Sequence, residues 1–548
     1  MEYPGFATFL GDPREQDRLT DLSTGSIERR QKAVRDSLAF IKTIDREALP
    51  ADEVVNYDLL LERLESDVRE QRFPDHYLQM NQMGGPQQDT ARLLAMMPGG
   101  SVEQLENQIA RMEALPQYID QSIALMRQGI EAGVTPPGVT LRDVPEQIRA
   151  QLVDDAGESP LLKAFAAPPE TVDSLQAEAL RQRAAEAYRS KVVPAYERLL
   201  EFTESEYLPA ARESIAARDL PDGEAWYRHN VAVRTTTDLT PQQIHEIGVS
   251  EVKRIRAEME AIIESTGFDG GFEEFLHFLR TDPQFYHTSP EALLAEYRDI
   301  CKRADPELTK LFGKLPRTPY GVIEVPAYAA KSTTTAYYQR GSMKAGRPGY
   351  YFANTYALET RPRWEMEALS LHEAVPGHHL QIALQQELEN VPWFRQIASY
   401  TAFSEGWGLY SESLGEAMGF YQDPYSKFGQ LTYEMWRAIR LVVDTGMHYL
   451  GWSRQQAIDF FKENAGKSEH DIVVEVDRYI VWPGQALAYK IGELKIKELR
   501  AYAVNALGEN FDIRAFHDEV LGRGAVPLSV LEANIKDWVK NVSATAGP

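Results

Sequence analysis

The sequence has almost no cysteine and no long apolar run. Cys301 is the single cysteine among 548 residues, so an intrachain disulfide and catalysis by a cysteine pair are both excluded. No stretch of about 18 apolar residues occurs, which argues against a membrane-spanning helix. The net charge of −24 argues against nucleic acid and anionic membrane surfaces as partners, because these are bound through basic patches. A metal site in this chain therefore has to use nitrogen and oxygen ligands.

What the sequence has instead is helical periodicity over most of its length. From about Ser101 to Gly133, apolar residues recur three and four positions apart in a charged segment. Thr240 and Gln243 form the pattern of a capping box, which predicts a helix that begins just after Thr240. We therefore predict a mainly α fold, with an N-terminal helical region over 1–240 and a catalytic region over 241–548, together forming one continuous body around a cleft.

Three of the chain's eleven histidines and a glutamate stand within eight positions. The segment reads His372-Glu373-Ala374-Val375-Pro376-Gly377-His378-His379. A histidine followed at once by a glutamate is how metallohydrolases place a metal ligand beside a general base. Clustered histidines beside a carboxylate are costly to bury without a ligand or a charge partner. The segment therefore predicts a metal site with His372 as a ligand and Glu373 as the base; a purely structural polar cluster is the alternative.

The segment departs from the helical form of such sites, H-E-x-x-H, because Pro376 stands at the fifth position. On an uninterrupted helix His379 lies roughly 10.5 Å along the axis from His372, too far for two imidazoles on one ion. His378 lies off the face of His372, about 600° round the helix. Pro376 and Gly377 supply a local distortion, so we expect a bulge there, with the helix resuming at Gly377 or His378.

Gly377 to Gln381 resembles the G-H-A-L-H stretch of thimet-oligopeptidase-like zinc peptidases, whose motif reads H-E-F-G-H-A-L-H, with two residues inserted after the glutamate. This resemblance implies that His378 is the second ligand and that His379 is a supporting or substrate-facing group. A tetrahedral catalytic zinc takes three protein ligands and one water. In peptidases of the glutamate-zincin type the third ligand is a glutamate on the next helix, which implies Glu405, with Glu412 as a fallback or a supporting partner.

Longer phrases extend the resemblance over most of the chain. The large, mostly bacterial family known as domain of unknown function 885, placed among zincin-like peptidases, has phrases similar to Leu371 to Gln381, Ser404 to Trp407 and Asp477 to Lys490. It implies a zincin-like helical metallopeptidase body with a small sheet beside the active-site helix. The N-terminus lacks the features of a signal peptide, yet such proteins often carry export signals. The expected location is cytoplasmic as the chain stands, and periplasmic or secreted if a leader was removed.

A strand-rich region near 320–356 precedes the histidine motif. Three segments of β-branched and aromatic residues follow one another: Val322 to Val325, Thr333 to Tyr338 and Tyr350 to Asn354. Zincin-like peptidases add an extended substrate to the edge of a small sheet, a form of β-augmentation. Gly349 to Tyr356 is the candidate edge strand, with Asn354 and Tyr356 as candidate substrate-binding residues. An ordinary packed sheet is the alternative.

A polar and aromatic cluster stands in the last of the similar phrases, and we expect it across the cleft from the metal. In zincins a tyrosine or histidine donates to the developing oxyanion, and an arginine or lysine holds a substrate carboxylate. Tyr489 or Tyr479 is the candidate for the first role and Arg478 or Lys490 for the second. Gln485 is a further candidate substrate contact. A buried ion pair is the alternative for any of them.

Taken together, these residues predict hydrolysis of peptide bonds in short peptides at one Zn²⁺ per chain, although nitrogen and oxygen ligands also accept other divalent metals. One alternative is a metal-dependent amidase that acts on a small non-peptide amide. Another is a peptide-binding scaffold without catalysis, which Glu373 argues against because a binding protein needs no general base. The expected partner is a short peptide or small amide, and the oligomeric state is left open.

Overall fold

The computed structural model describes a mainly helical protein with one small sheet. The described residues are 2–167, 171–326, 330, 334–343 and 346–545. The chain packs as two units, Met1–Trp226 and Tyr227–Pro548. The predicted boundary at residue 240 stands later in the chain, at the start of a long helix. None of the described helices combines the length and the apolarity that crossing a bilayer requires.

The first unit is built around one long central helix. Its helices are α1 (Pro4–Leu10), α2 (Thr24–Ile41), α3 (Ala51–Glu70), α4 (Asp89–Met96), α5 (Val102–Ala132), α6 (Val144–Arg149), α7 (Lys163–Ala166), α8 (Ser174–Ala187) and α9 (Val193–Phe202); α10 (Gly223–Thr235) continues into the second unit. Ile109, Met112 and Ile119 of α5 are almost fully buried in a core shared with α8 and α9. Ser101 caps α5, and Gly133 ends it in the left-handed region, so the predicted helix is confirmed.

The second unit contains all of the candidate site residues. Its helices are α11 (Pro241–Thr266), α12 (Phe272–Thr281), α13 (Pro290–Leu311), α14 (Met366–Glu373), α15 (His378–Gln386), α16 (Trp393–Ile397), α17 (Thr401–Ser413), α18 (Pro424–Thr445), α19 (Arg454–Asn464), α20 (Glu469–Val481), α21 (Ala488–Leu507), α22 (Ile513–Leu521) and α23 (Leu528–Thr545). Thr240 and Gln243 form the predicted capping box at the start of α11. α11 packs along α18, and α17 packs along α21.

The three-stranded sheet lies where the sequence predicted one. The strand that the sequence predicted at its edge lies in its centre. Its strands are β1 (Tyr320–Glu324), β2 (Ala336–Gln339) and β3 (Gly349–Ala353), in the order β1-β3-β2. β3 pairs in parallel with β1 and antiparallel with β2, so its backbone groups are used on both sides. The prediction that Gly349 to Tyr356 is an edge strand is therefore wrong. Thr333, the predicted start of the second strand, lies outside the described residues.

Candidate metal centre

The histidine motif is carried by two short helices that meet at a break. α14 ends at Glu373, and Ala374 leaves helical geometry with φ −98° and ψ −108°. α15 begins at His378, one of the two starting points that the sequence predicted. A Cβ on Gly377 would collide with the carbonyl oxygen of His372, so only glycine fits where the second helix meets the first. The break places the rings of His372 and His378 edge to face, with centroids 4.7 Å apart.

A hydrogen bond from a third helix holds this break. Trp407 of α17 is fully buried, and its indole N–H donates to the carbonyl oxygen of Pro376 at 2.8 Å. A tertiary contact therefore helps to set the separation of the two histidines, which the local sequence alone does not fix.

His372, His378 and Glu405 converge in space. One ligand atom from each lies within 4.8 Å of the other two. Oε2 of Glu405 is 3.6 Å from Nε2 of His372 and 3.4 Å from Nε2 of His378. Bonds of about 2 Å in a tetrahedral arrangement place ligand atoms roughly 3.3 Å apart, so these separations suit a shared ion. In the part of the chain that the structure describes, no other group of His, Cys, Asp and Glu converges in this way.

Two glycines of α17 make room for this arrangement. Gly406 follows Glu405 and lies against α21, where an added Cβ would stand 2.5 Å from Cα of Gly492. Gly408 faces the imidazole of His372, and a Cβ there would be 2.8 Å from its Nε2. The phrase around Glu405 therefore contains a candidate ligand, a close helix crossing and the space for the imidazole of His372.

Glu412, which is also on α17, fixes the orientation of the His372 ring. It is fully buried, and its Oε1 lies 2.7 Å from Nδ1 of His372. A carboxylate on the far nitrogen of a ligating histidine orients the ring and raises its basicity. Burial alone would lower the pKa of His372, but Glu405 and Glu412 outweigh it and raise the pKa to about 9. Burial likewise favours a higher pKa for Glu405, yet His372 and His378 hold that pKa well below its usual range.

Two groups at this cluster have no partner within the described chain. Glu373 is only 9% exposed, and its carboxylate makes no hydrogen bond or ion pair with any described residue. Nδ1 of His378 is also buried without a hydrogen-bond partner. Buried polar groups in proteins are usually satisfied, so the unsatisfied Nδ1 of His378 leaves a place for a partner from outside the chain.

His379, predicted as a supporting or substrate-facing group, lies away from the cluster. Its ring is buried against the sheet, with its centroid 4.6 Å from that of Tyr320. Its Nδ1 is 2.9 Å from the hydroxyl of Tyr338. Burial lowers the pKa of His379 to about 4, so the ring is neutral. The ring joins α15 to β1 and β2, and its supporting or substrate-facing role stays a prediction.

The two residues predicted to bind substrate at the sheet have different surroundings. Asn354 is buried, and its Nδ2 donates to the carbonyl oxygens of Ala330 and Thr334 at 2.8 and 3.1 Å. Its Oδ1 accepts from the backbone N–H of Tyr356 at 3.0 Å. The Asn354 side chain therefore organises its own loop, and its predicted substrate role is wrong. The side chain of Tyr356 is exposed, and its substrate role stays a prediction.

Lys490 is engaged in a buried ion-pair cluster. Its Nζ lies 3.0 Å from Glu251, 2.7 Å from Glu434 and 2.6 Å from Glu493. An ammonium group has three donors, and three carboxylates occupy them here. The prediction that Lys490 holds a substrate carboxylate is therefore wrong, because the ion-pair alternative describes its surroundings.

Tyr479, Arg478 and Gln485 are also engaged within the protein. The hydroxyl of Tyr479 donates to Glu475 at 2.6 Å and accepts from Nε of Arg440 at 2.9 Å. That proton is therefore engaged within the protein, and the role of Tyr479 as oxyanion donor stays a prediction. Arg478 pairs with Glu475 at 3.0 Å and donates to Gln485 at 2.9 Å. Substrate contacts by Arg478 and Gln485 stay predictions.

Tyr489 is the other candidate for the oxyanion role. It stands one helical turn before Gly492, on the part of α21 that crosses α17 beside Glu405. Burial and the charge of Glu405 both raise the pKa of Tyr489. The guanidinium of Arg440 stacks on its ring, with Cζ 4.5 Å from the centroid.

Sequence reasoning missed two arginines of α18. Arg437 places Nη2 3.8 Å from Oε1 of Glu412, and Arg440 contacts Tyr489 as described above. A signal was present, since Met435 to Val443 is apolar except for these two residues, three positions apart. A charged residue in a helix that is otherwise apolar on all sides indicates a buried polar role.

Comparisons with known proteins fit the whole length of the chain. A family model described as "Bacterial protein of unknown function (DUF885)" matches residues 4–535. A crystal structure of "the putative lipoprotein from Colwellia psychrerythraea" is 29% identical, with a TM-score of 0.94 over 98% of this chain and 96% of that one. The structure of "a putative lipoprotein of unknown function from Shewanella oneidensis" is 18% identical, with a TM-score of 0.74 over 97% and 96%, and shows the fold alone. A comparison with curated proteins gives no match.

Proposed function

The chain belongs to the family of bacterial proteins of unknown function designated DUF885, and we propose that it is a zinc-dependent hydrolase of peptide bonds in short peptides. One observation carries the proposal. Three ligand atoms converge, and the unpartnered carboxylate of Glu373 directly follows one of the ligands in the chain. A metal with a free carboxylate beside it is the arrangement that water activation requires.

His372, His378 and Glu405 are the residues that would hold the metal. Two imidazole nitrogens and one carboxylate oxygen are a donor set of hydrolytic zinc sites, which keep a fourth position for water. Glu412 on Nδ1 of His372 favours Nε2 as the ligating atom. An ion pair between a protonated histidine and Glu405 is the structural alternative.

In this proposal each of the chain's own site residues has a separate chemical role. A bound zinc ion supplies an acidified water and positive charge near the scissile carbonyl. Glu373 accepts a proton from the attacking water and later delivers it to the leaving amine. Tyr489 donates its hydroxyl proton in a hydrogen bond to the developing oxyanion. Glu412 keeps the ring of His372 in a single orientation throughout.

The likeness to the Colwellia structure also bears on where the protein acts. That protein is described as a lipoprotein, and the likeness extends over nearly the full length of both chains. We include in the proposal a location outside the cytoplasm, where short peptides would be the substrates.

The substitution Glu373→Gln tests the mechanism. Glutamine keeps the size of the side chain but has no basic oxygen, so turnover should fall on the order of 10²- to 10⁴-fold while the metal stays bound. Hydrolysis of a short-peptide mixture is followed by mass spectrometry, and metal content by plasma mass spectrometry. Glu389→Gln, at an exposed position just beyond α15, is the matched control and should leave turnover unchanged. Full activity in Glu373→Gln, or no peptide cleavage by the metal-loaded wild type, would contradict the proposal.

A further inference from the structure

Two arginines of α18 lack a full set of partners although they are buried. Arg437 and Arg440 are only 6% and 5% exposed. Nε of Arg437 and Nη1 of Arg440 are buried and make no hydrogen bond with the described residues. Guanidinium groups in protein interiors are usually paired, so two neighbouring exceptions call for a partner that the chain does not supply.

The two guanidinium groups border the candidate metal centre from two directions. Cζ of Arg440 lies 4.5 Å and Cζ of Arg437 lies 5.9 Å from the ring centroid of Tyr489, the candidate oxyanion donor. On the other side, Nη2 of Arg437 is 3.8 Å from Oε1 of Glu412, whose other contact is His372. Arg440 therefore contacts a proposed reacting group directly, and one side chain, Glu412, lies between Arg437 and His372.

The carboxylates that contact these arginines are shared with other side chains. Glu475 pairs with both Arg440 and Arg478, at 3.1 and 3.0 Å. Glu412 is shared between Arg437 and His372. Three guanidinium groups thus contact two carboxylates, each of which is shared between two side chains of the protein. The guanidinium groups therefore keep hydrogen-bonding capacity for an anionic group of the substrate.

We infer that Arg437 and Arg440 bind a carboxylate of the substrate, and that this carboxylate is the free C-terminus of a short peptide. The inference rests on the proposed hydrolase function and narrows it to removal of residues from the C-terminal end. Guanidinium groups match carboxylates in charge and in planar geometry. The two side chains retain 8% and 7% exposure, so they are enclosed without being sealed. A chain that continues past the arginines needs openings on two sides, so side chains as enclosed as these favour the end of a chain.

Binding to the Glu373→Gln protein tests this inference without requiring turnover. Short peptides that lack Asp and Glu are made as free acids and as C-terminal amides, and a third set of amides contains Asp or Glu. Calorimetry should show free acids binding at least about 30-fold more tightly than their amides, because an amide leaves buried charge unpaired. When Arg440→Met is added to this protein, its affinity for the free acids should fall to its affinity for the amides.

Each other result overturns the inference. Equal affinity for acids and amides, or no binding of either, removes the carboxylate site. Tight binding only of amides that contain Asp or Glu shows that the arginines recognise a side chain instead of the C-terminus. If Arg440→Met fails to fold, Arg437→Met is measured in its place, and the comparison of acids with amides on Glu373→Gln still decides the matter.

Arg454→Met is the matched control. Arg454 also pairs with a carboxylate, that of Asp477 at 2.6 and 2.9 Å, so its loss removes a comparable ion pair. The preference for free acids should persist in this variant. Turnover keeps the two proposals distinguishable: equal cleavage of acids and amides overturns this inference and leaves the hydrolase intact. A preference for acids in binding, with no cleavage by the wild type, contradicts the hydrolase alone.

Discussion

Two clusters of buried charge in the second unit differ in how completely they are paired. Around Lys490, three carboxylates surround one ammonium, and Lys497 adds a further positive charge 2.5 Å from Glu493. Around His372, the described chain offers no partner to the carboxylate of Glu373 or to Nδ1 of His378. The number of charges is similar, so the clusters differ in the atoms left without a hydrogen bond, which favours the one around His372 as the candidate site.

Removal of a ligand should give the largest effect, because it acts on the incompletely paired cluster. We expect about one zinc per chain in the wild type and in His379→Ala, and loss of zinc in His372→Ala and His378→Ala, since a structured site needs three protein ligands. Plasma mass spectrometry on protein purified without added metal or chelator measures this. If His379→Ala loses zinc and His378→Ala keeps it, the second ligand is His379 and not His378. Zinc in none of the proteins, even after it is supplied, would contradict the metal centre.

Removal of the central charge of the fully paired cluster should instead affect stability alone. Lys490→Met leaves three buried carboxylates without their shared cation, which should lower the free energy of unfolding by about 3–5 kcal/mol. Urea denaturation measures the change, and zinc content should equal that of the wild type. Lys536→Met removes the exposed partner of Glu532 and should have little effect. A Lys490→Met protein that is as stable as the wild type but has lost its zinc would contradict the assignment of the Lys490 cluster to stability alone.

The smallest expected effect lies at the boundary of the metal cluster. Glu412→Gln keeps an acceptor near Nδ1 of His372 but removes its charge, which should weaken zinc binding by about 10- to 100-fold. Competition with a chromogenic chelator measures the affinity. Glu416→Gln, at an exposed glutamate that pairs with Lys427, provides the control and should bind zinc as the wild type does. Unchanged affinity in Glu412→Gln would show that the carboxylate serves packing only.

The sequence predicted the convergent residues because short segments carry most of the information. His372, Glu373 and His378 stand close together, and Pro376 and Gly377 mark the break that brings the two histidines into contact. Glu405 came from a resemblance in spacing, and the structure brings it to the same place.

The remaining site residues were harder to predict because their partners are distant in the sequence. Lys490 looks like a free cation until Glu251 and Glu434, on other helices, are seen to neutralise it. His379 looks like a third site histidine until Tyr338 is seen to pair with it. The strand order was hard to predict for the same reason. The sequence pattern of β3 is equally compatible with a central strand and with an edge strand, and only its pairing with β1 and β2 decides between them.

The hydrogen bond from Trp407 to Pro376 makes the histidine motif impossible to transplant by itself. A fragment spanning residues 366–386 would contain both histidines but not the indole that holds the break between them. The arrangement of the two histidines thus depends on a contact with α17 as well as on the motif itself. A pattern search for two histidines four positions apart passes over such a chain. A search that allows an interrupted helix would need to ask for the distant tryptophan as well.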